Sequence, residues 1–582
     1  MTDIITTLHP ETDEDTNLYP NIKKENIPNK SINLNRLDDD VTSILENFNQ
    51  PKYYSVLPSG DVGLIVYTDG YLYYWNGTQY ISSGIVYQAT QVPNNSIGLN
   101  KLASDVINYI DEQGKPTQEQ VNNWLDNHPE ATTSVEDHSL TIDKLVVGTL
   151  GYVTPQMFGA VGGGIVDDTQ AFQNAVNYQN VLIPDGTYLI TDSIVLTNCK
   201  NFIGMGDVTL LLDISNQQSG VSSGSGLKII DNENVYVANI KITENVPATT
   251  RIPTYDLAVK NSKYVVLDNI HVSNVSGPGF FVGYNSEHFI IKNCYSGYTR
   301  ADGFHIQRGS KYFIVKDCYS EYNRDDCYGC ISHDAENYGI CEYGTFENCI
   351  GHDTIGTGGG FCLDGSKHIK VINCRINDTI LSGVRSNRFR ENSESSWYYP
   401  SDNSIINCEF YNVGKGTTGS RAGIELNVSG SHDIIGNIII NDTNYNNNGI
   451  YFPACLGIIR VINNRIEGFT TGINGGLDSA QYGSFDTKCH YIIENNFLRN
   501  LQNNGVGSRG NCGFTGVNGS TTILNNQVFE LNLSNSANIN AFYCFSCGIV
   551  TCKNNTAYAT NEFTTFASSG NQLVYSSGNN SN

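Results

Sequence analysis

Basic residues are scarce in this sequence. Its 34 Lys and Arg stand against 58 Asp and Glu, a formal net charge of −24 over 582 residues. A partner held through a phosphate backbone needs the opposite surplus, so nucleic acid is not an expected partner. The negative balance suits the solubility of a long particle. No apolar run reaches the length of a membrane span, so no membrane insertion is expected. The start, Met1-Thr2-Asp3-Ile4-Ile5, lacks the basic region and apolar core of a signal peptide, which argues against standard secretion. Gly358-Gly359-Gly360 lacks the Lys-Ser/Thr context of a phosphate-binding loop. Cys327-x-x-Cys330 and Cys544-x-x-Cys547 have zinc-like spacing, but neither has a second pair at a suitable distance. No metal and no cofactor is therefore expected.

What the chain has is turns and repeats. Charged residues are only 16% of it, and glycine reaches 57 positions, the composition of a β-rich protein. From about residue 150 a short block recurs: an apolar residue, any residue, Asn, then Cys or an apolar residue. Copies include Val237-Ala238-Asn239-Ile240, Ile291-Lys292-Asn293-Cys294, Val371-Ile372-Asn373-Cys374 and Ile435-Gly436-Asn437-Ile438, with Asp317 once in the Asn place. Later copies read Ile462-Asn463-Asn464 and Leu524-Asn525-Asn526. The period, roughly 24 to 34 residues, is that of a β-solenoid, whose coils must stack to bury their apolar faces. Equivalent positions then form columns: an amide ladder of Asn at a turn, and an inward column of Cys294, Cys318, Cys349, Cys374 and Cys408. Free thiols are good small core residues, so these are expected to be buried and unpaired.

The repeat opens with Phe158-Gly159-Ala160-Val161-Gly162-Gly163-Gly164-Ile165-Val166-Asp167-Asp168-Thr169-Gln170-Ala171-Phe172, then Pro184-Asp185-Gly186-Thr187-Tyr188. Asp168 or Thr169 is placed to cap a short helix. This text resembles the N-terminal cap of the pectate-lyase superfamily, with Gly163 where that family usually has Asp. The resemblance implies an all-β fold, a right-handed parallel β-helix, over residues 151–565.

Residues 1–150 differ. Ile65-Val66-Tyr67-Thr68-Asp69-Gly70-Tyr71-Leu72-Tyr73-Tyr74-Trp75-Asn76-Gly77-Thr78-Gln79-Tyr80 reads as hairpins turned at Asp-Gly and Asn-Gly. Three related segments begin at Ser31, Ser96 and Ser139, and Pro116 to Thr132 lies between the last two. Residues 96–150 resemble the stalk of tail fibres and tailspikes from phages of Gram-positive bacteria. That resemblance implies a virion-attachment region over 1–95, a stalk over 96–150, a homotrimer, other virion tail proteins as partners, and a location on the virion tail. Residues 566–582, rich in Ser, Gly and Asn, are expected to form a flexible tail.

Four central coils are rich in ionisable groups: Arg300-Ala301-Asp302-Gly303-Phe304-His305, Arg324-Asp325-Asp326-Cys327, Gly351-His352-Asp353 and Val384-Arg385-Ser386-Asn387. One coil separates each from the next, so the stack can bring them to one patch. Paired carboxylates suit glycoside hydrolysis, in which one is protonated for the leaving oxygen and another activates water. The order resembles the polygalacturonase family of glycoside hydrolases, whose motifs run N-T-D, D-D, G-H-G and R-I-K. By that resemblance Asp325 is the general acid, Asp302 and Asp326 are the bases of an inverting reaction, and His352 orients the acid. Arg385 and Asn387 would hold the substrate, a bacterial surface polysaccharide. Trp397 and Tyr398, in an insertion after Arg385, either stack on sugar or pack the loop. The first motif lacks Asn-Thr and the last lacks its lysine, which leaves galacturonan specificity open. Two other readings remain: a spike that only adheres to host glycan, and a polysaccharide lyase with an Arg or Lys base and carboxylate-bound Ca²⁺.

Overall fold

The computed structural model describes four strands and parts of their connections within residues 52–86, then residues 151–581. Within the latter it omits the loops 216–223, 417–421, 443–447, 477–488, 504–511, 516–518 and 534–539, and a few positions after 545. By internal contacts the chain divides into two units, 1–140 and 141–582. In the first, Ile65–Tyr67, Tyr71–Trp75 and Tyr80–Val86 pair antiparallel in succession, and Lys52–Tyr54 adds in parallel. The Asn76 side chain accepts from the amides of Thr78 and Gln79 at 3.0 and 2.9 Å, closing the Asn-Gly turn. The stalk text of 96–150 and the segment at Ser31 lie outside the described residues. No helix among the described residues is long and apolar enough to cross a membrane.

The second unit is a right-handed parallel β-helix. One sheet of 14 parallel strands runs from Ser193–Leu196 to Thr564–Ser569. Two further sheets complete each coil, and the first long strands bend through both: Lys263–Ser273 pairs with Ile290–Lys292 over one half and with Tyr295–Gly297 over the other. The bend is made by one residue per coil at positive φ, from Asn239 (59°) through Asn293, Asp317, Asn373 and Asn407 to Asn554 (55°). Asn and Asp tolerate this left-handed conformation better than other side-chain-bearing residues, which is why the repeat carries them there. At Ile435-Gly436-Asn437 the register differs from the sequence expectation. Gly436 (71°) takes the corner, and Asn437 falls one place later, in the inward column.

That column changes chemistry along the axis. Cys294, Cys318, Cys349, Cys374 and Cys408 fill it first, all buried and free, as are the other cysteines with described side chains. From Asn437 onward it is filled by Asn464, Asn496, Asn526, Asn555 and Asn579. Each Nδ2 donates to the next Oδ1 at 2.9–3.0 Å, and each also donates to a backbone carbonyl. A buried amide is tolerated only when its groups are paired, and here the stack itself supplies the partners. The expected amide ladder thus exists in two forms. One is exposed, as between Asn269 and Asn239 (3.0 Å), and the other is this buried one.

The N-terminal end is closed by the helix Thr169–Ala175, which lays Phe172 against Tyr188 and Phe202 of the first coils. Asp168 stands at its N-cap but bonds the amides of Val161 and Gly162 (2.7 and 3.1 Å) rather than the helix. Asp167 is the side chain that caps, accepting from the Thr169 amide at 3.0 Å. At the other end the structure corrects the expected flexible tail. Leu573–Ser577 pairs in register with Ile549–Lys553, and Asn580–Ser581 with Thr556–Ala559, so residues 566–581 form one more coil. Its Ser and Asn residues continue the ladder through Asn579 instead of loosening the chain.

Asn496→Ala should remove two ladder bonds and strand the amides on either side, lowering unfolding free energy by about 1–3 kcal/mol. Denaturant melts of the full chain measure this; an unchanged midpoint would mean the ladder adds nothing.

Candidate active site

The 14-stranded sheet alternates its side chains. Phe304 and Ile306, Tyr328 and Cys330, and Phe361 and Leu363 point inward, and their rings stack, with centroids 5.1 Å apart for Phe304–Tyr328 and 4.9 Å for Tyr328–Phe361. The residues between them face outward in register: Phe281, His305, Gly329, Cys362, Arg385 and Glu425. Asp302 and Asp326 occupy the same place in consecutive coils, just before these strands, since Gly279 donates to the Asp302 carbonyl and Gly303 to that of Asp326. Asp325 sits one residue earlier. Each of the three offers an oxygen within 4.8 Å of the other two.

Glycines make room for this convergence. A Cβ at Gly358 would lie 1.9 Å from the Asp325 carbonyl, and one at Gly359 would lie 2.5 Å from the Ser382 carbonyl. The glycine run that lacks a phosphate-binding context therefore lets the chain pass against the acidic pair. From there the Gly359 amide donates to Asp326 Oδ1 at 2.6 Å.

Each carboxylate has its own cation. The imidazole of His305 donates through Nδ1 to Asp302, whose other oxygen accepts from the Asp326 amide at 3.0 Å. Arg385 lies 3.4 Å from Asp326 and 3.3 Å from Asp364. Arg251, from the loop 245–256, reaches Asp325 at 3.0 Å. The environments differ sharply. Asp302 and Asp326 side chains are 3% exposed, whereas that of Asp325 is 32% exposed. Burial drives Asp302 up, but the His305 charge and hydrogen bond, the Arg251 charge and the Asp326 amide together outweigh it and hold the carboxyl below its usual value; His305 is correspondingly raised against its own burial. Asp325 is pushed up to about 7 by desolvation and by the charges of Asp302 and Asp326, with Arg251 and Arg385 pulling the other way. Asp326 is raised by burial against the pull of Arg385. A hard cation accepts a cluster of three carboxylates. Here two guanidiniums and an imidazole already pair with the three carboxylates, Arg385 being shared with Asp364.

The structure brings together Asp302, Asp325, Asp326 and Arg385 of the expected residues. His352 is a correction. Its strand Ile350–His352 belongs to another sheet, and its ring bonds Tyr319 and Asp353 (2.7 Å) with Glu321 at 3.4 Å, so its bonds reach none of the three carboxylates. The imidazole at the trio is that of His305. Its signal was in the motif Asp302-Gly303-Phe304-His305: an inward Phe304 forces the next side chain outward. Arg251 had no local signal, being 74 residues from its partner. Asn387 follows Arg385 on the outward face, its amide bonded to Asp364 at 2.8 Å. In the insertion, Phe389 and Tyr398 pair antiparallel, and the Arg388 and Arg390 guanidiniums lie 4.2 and 4.6 Å from the Trp397 ring. The insertion is pinned to the helix Ala335–Tyr338 by Glu336 and Glu394, and Glu391 bonds His333 at 2.8 Å, whose ring lies 5.8 Å from that of His305. Trp397 and Tyr398 thus take part in the packing of this loop, and Trp397 keeps 38% of its surface exposed.

Residues 154–351 match the family described as rhamnogalacturonase A/epimerase, pectate lyase-like. Over 125 residues, 21% of the chain, the sequence is 31% identical to a protein of Klebsiella phage K64-1 named depolymerase, capsule K30/K69-specific, and it spans 14% of that protein's length. Among solved structures, the A-module of the Azotobacter vinelandii mannuronan C-5 epimerase AlgE6 aligns with a TM-score of 0.41 at 13% identity, over 72% of this chain and 99% of that one. The catalytic domain of a GH87 alpha-1,3-glucanase in complex with nigerose aligns with a TM-score of 0.44 at 16% identity, over 72% and 68%. Over residues 154–351 the sequence matches that pectate-lyase-like family model, and the same residues stack as coils of the parallel β-helix.

Proposed function

We propose that this protein is a phage tailspike that binds and depolymerises a bacterial surface polysaccharide by inverting glycoside hydrolysis. The observation that carries the reading is the convergence of three carboxylates whose environments separate them. Asp302, ionised and bonded to His305, can take a proton from water. Asp325, raised by its neighbours and partly exposed to solvent, can give one to the leaving oxygen. This is the division of labour that glycoside hydrolysis asks of its carboxyl pair. Asp326 shares the water with Asp302, and Arg385 fixes Asp326 in place. The capsule specificity in the name of the Klebsiella phage relative, and the glycan-acting names among the similar structures, are in keeping with a surface polysaccharide as substrate. The same reading assigns residues 1–95 to virion attachment, 96–150 to the stalk of a homotrimer, and the protein to the virion tail.

One observation favours a second stereochemical course. Inverting carboxyls ordinarily stand roughly 6.5–9.5 Å apart and retaining ones roughly 5 Å. Oxygens within 4.8 Å of one another lie nearer the retaining spacing. Proton NMR of the first-formed sugar end decides: inversion is expected, and retention would make Asp302 or Asp326 a nucleophile.

Purified capsular and wall polysaccharides, assayed as a panel, should include one in which the protein creates new reducing ends without ultraviolet-absorbing unsaturated sugars. Asp325→Asn should lower that cleavage by about 10²–10⁴-fold while sparing binding. Unsaturated ends would point to a lyase, binding without cleavage to an adhesive spike, and a fully active variant would remove Asp325 from the chemistry.

The acid works only when protonated, so cleavage should fall as pH rises through about 7, the value to which Asp325 is pushed. A rate that stays flat well above that pH would contradict Asp325 as proton donor.

A further inference from the structure

The three cations of the site are not equivalent. The side chains of His305 and Arg385 are 8% and 20% exposed, whereas that of Arg251 is 53% exposed. The backbone that carries Arg251 is firmly held. Ala248 and Ile252 amides bond Ser276 at 2.6 and 3.1 Å, Arg300 Nε donates to the Ala248 carbonyl at 2.9 Å, and buried Lys228 bonds the Tyr255 carbonyl. Ser276 is in turn bonded through its amide to buried Glu244 at 2.7 Å. The loop is anchored on both sides of residue 251, and what is free to move is the long arginine side chain itself.

An ion pair at 3.0 Å stabilises the carboxylate of Asp325, and a carboxylate so paired is a poor proton donor. The groups around Asp325 pull in both directions: Asp302 and Asp326 oppose its charge, Arg251 and Arg385 favour it, and His305 neutralises Asp302. Arg251 is the one member that an incoming sugar can displace without unpacking the sheet. A sugar residue settling over Asp325 also removes water, which strengthens the repulsion from Asp302 and Asp326. Its hydroxyls offer the guanidinium substitute acceptors.

We propose that Arg251 is a positioning residue that weakens the hold of Asp325 on its proton in the free protein and leaves it when a sugar residue binds, so that the acid is most fully protonated with substrate in place. The proposal rests on the reading of Asp325 as the general acid. It moves one proton, taken up by Asp325 from solvent on sugar entry and passed to the leaving oxygen on cleavage.

The test has two arms. Carboxyl-carbon NMR titration of the full chain, with Asp325 assigned by its loss in Asp325→Asn, needs no substrate. Arg251→Gln should raise the Asp325 midpoint by about one pH unit, the low end expected for losing a partly exposed charge partner. Arg251→Lys should restore the wild-type midpoint. An unmoved midpoint in Arg251→Gln, with an unchanged melting temperature, overturns the proposal. The second arm uses the polysaccharide that the wild-type protein cleaves. The alkaline limb of kcat/KM, which reports the free protein, should lie below that of kcat, which reports the complex. Arg251→Gln should move the kcat/KM limb up to meet the kcat limb and leave the latter where it was. Limbs that move together, or coincide in the wild type, would mean that Arg251 stays on Asp325 through turnover. Failure of the hydrolase reading looks different: no polysaccharide is cleaved, or Asp325→Asn cleaves normally.

Discussion

Stacking in register is the constraint on which everything else in this protein depends. A single coil has a few short strands and no second layer, so its apolar side chains are covered only by the coils above and below. Parallel hydrogen bonding sets the rungs roughly 4.8 Å apart and forces equivalent residues into columns. A column must be self-compatible, since each residue meets its own kind. Rings stack face to face inside, as Phe289 on Phe313 with centroids 5.2 Å apart. Thiols follow thiols from Cys294 to Cys408, and amides follow amides from Asn437 to Asn579. The switch from Cys to Asn leaves the backbone path intact. Both residues are small, both donate to a rung carbonyl and both accept from the preceding rung's backbone, and the amide also bonds its own kind in the next rung.

The same register creates the acidic cluster. Columns are stable when the repeated residue is neutral, and unfavourable when it is a carboxylate, because like charges then stand one rung apart. Asp302 and Asp326 occupy one such column, and the structure relieves it with a buried imidazole, a half-buried arginine and donated amides. Asp325 is left with weaker relief, from the exposed arm of Arg251. The rise in its pKa is a consequence of stacking acidic residues on successive coils of a rigid sheet.

The coil repeat, its corner and its core columns were legible in the sequence, because they depend on residue type at a fixed spacing. Asn at the corner is required by backbone conformation, and Cys in the next place by volume. Where local spacing slipped, at Gly436-Asn437, glycine took the left-handed corner as readily as asparagine does, and one residue's difference moved the amide from surface to core. The tail misled for a related reason. Ser, Gly and Asn are turn formers, and they are also what an outer coil and its ladder need, so composition alone does not separate a loose end from a last rung.

By itself, the sequence determined that this chain builds a β-solenoid of stacked coils, and that Asp302, Asp325, Asp326 and Arg385 fall on neighbouring coils. These follow from periodicity, which is a local property. Tertiary structure alone decided which cation serves which carboxylate. His352, well placed by its motif, lies on a strand of another sheet, so His305 takes the position against Asp302. Arg251 arrives from a loop anchored 74 residues away in the chain. Such partnerships depend on how loops fold back over the sheet, and no spacing rule encodes that path. The coils set where the acids stand; the loops laid over them decide which acid remains within reach of solvent and sugar.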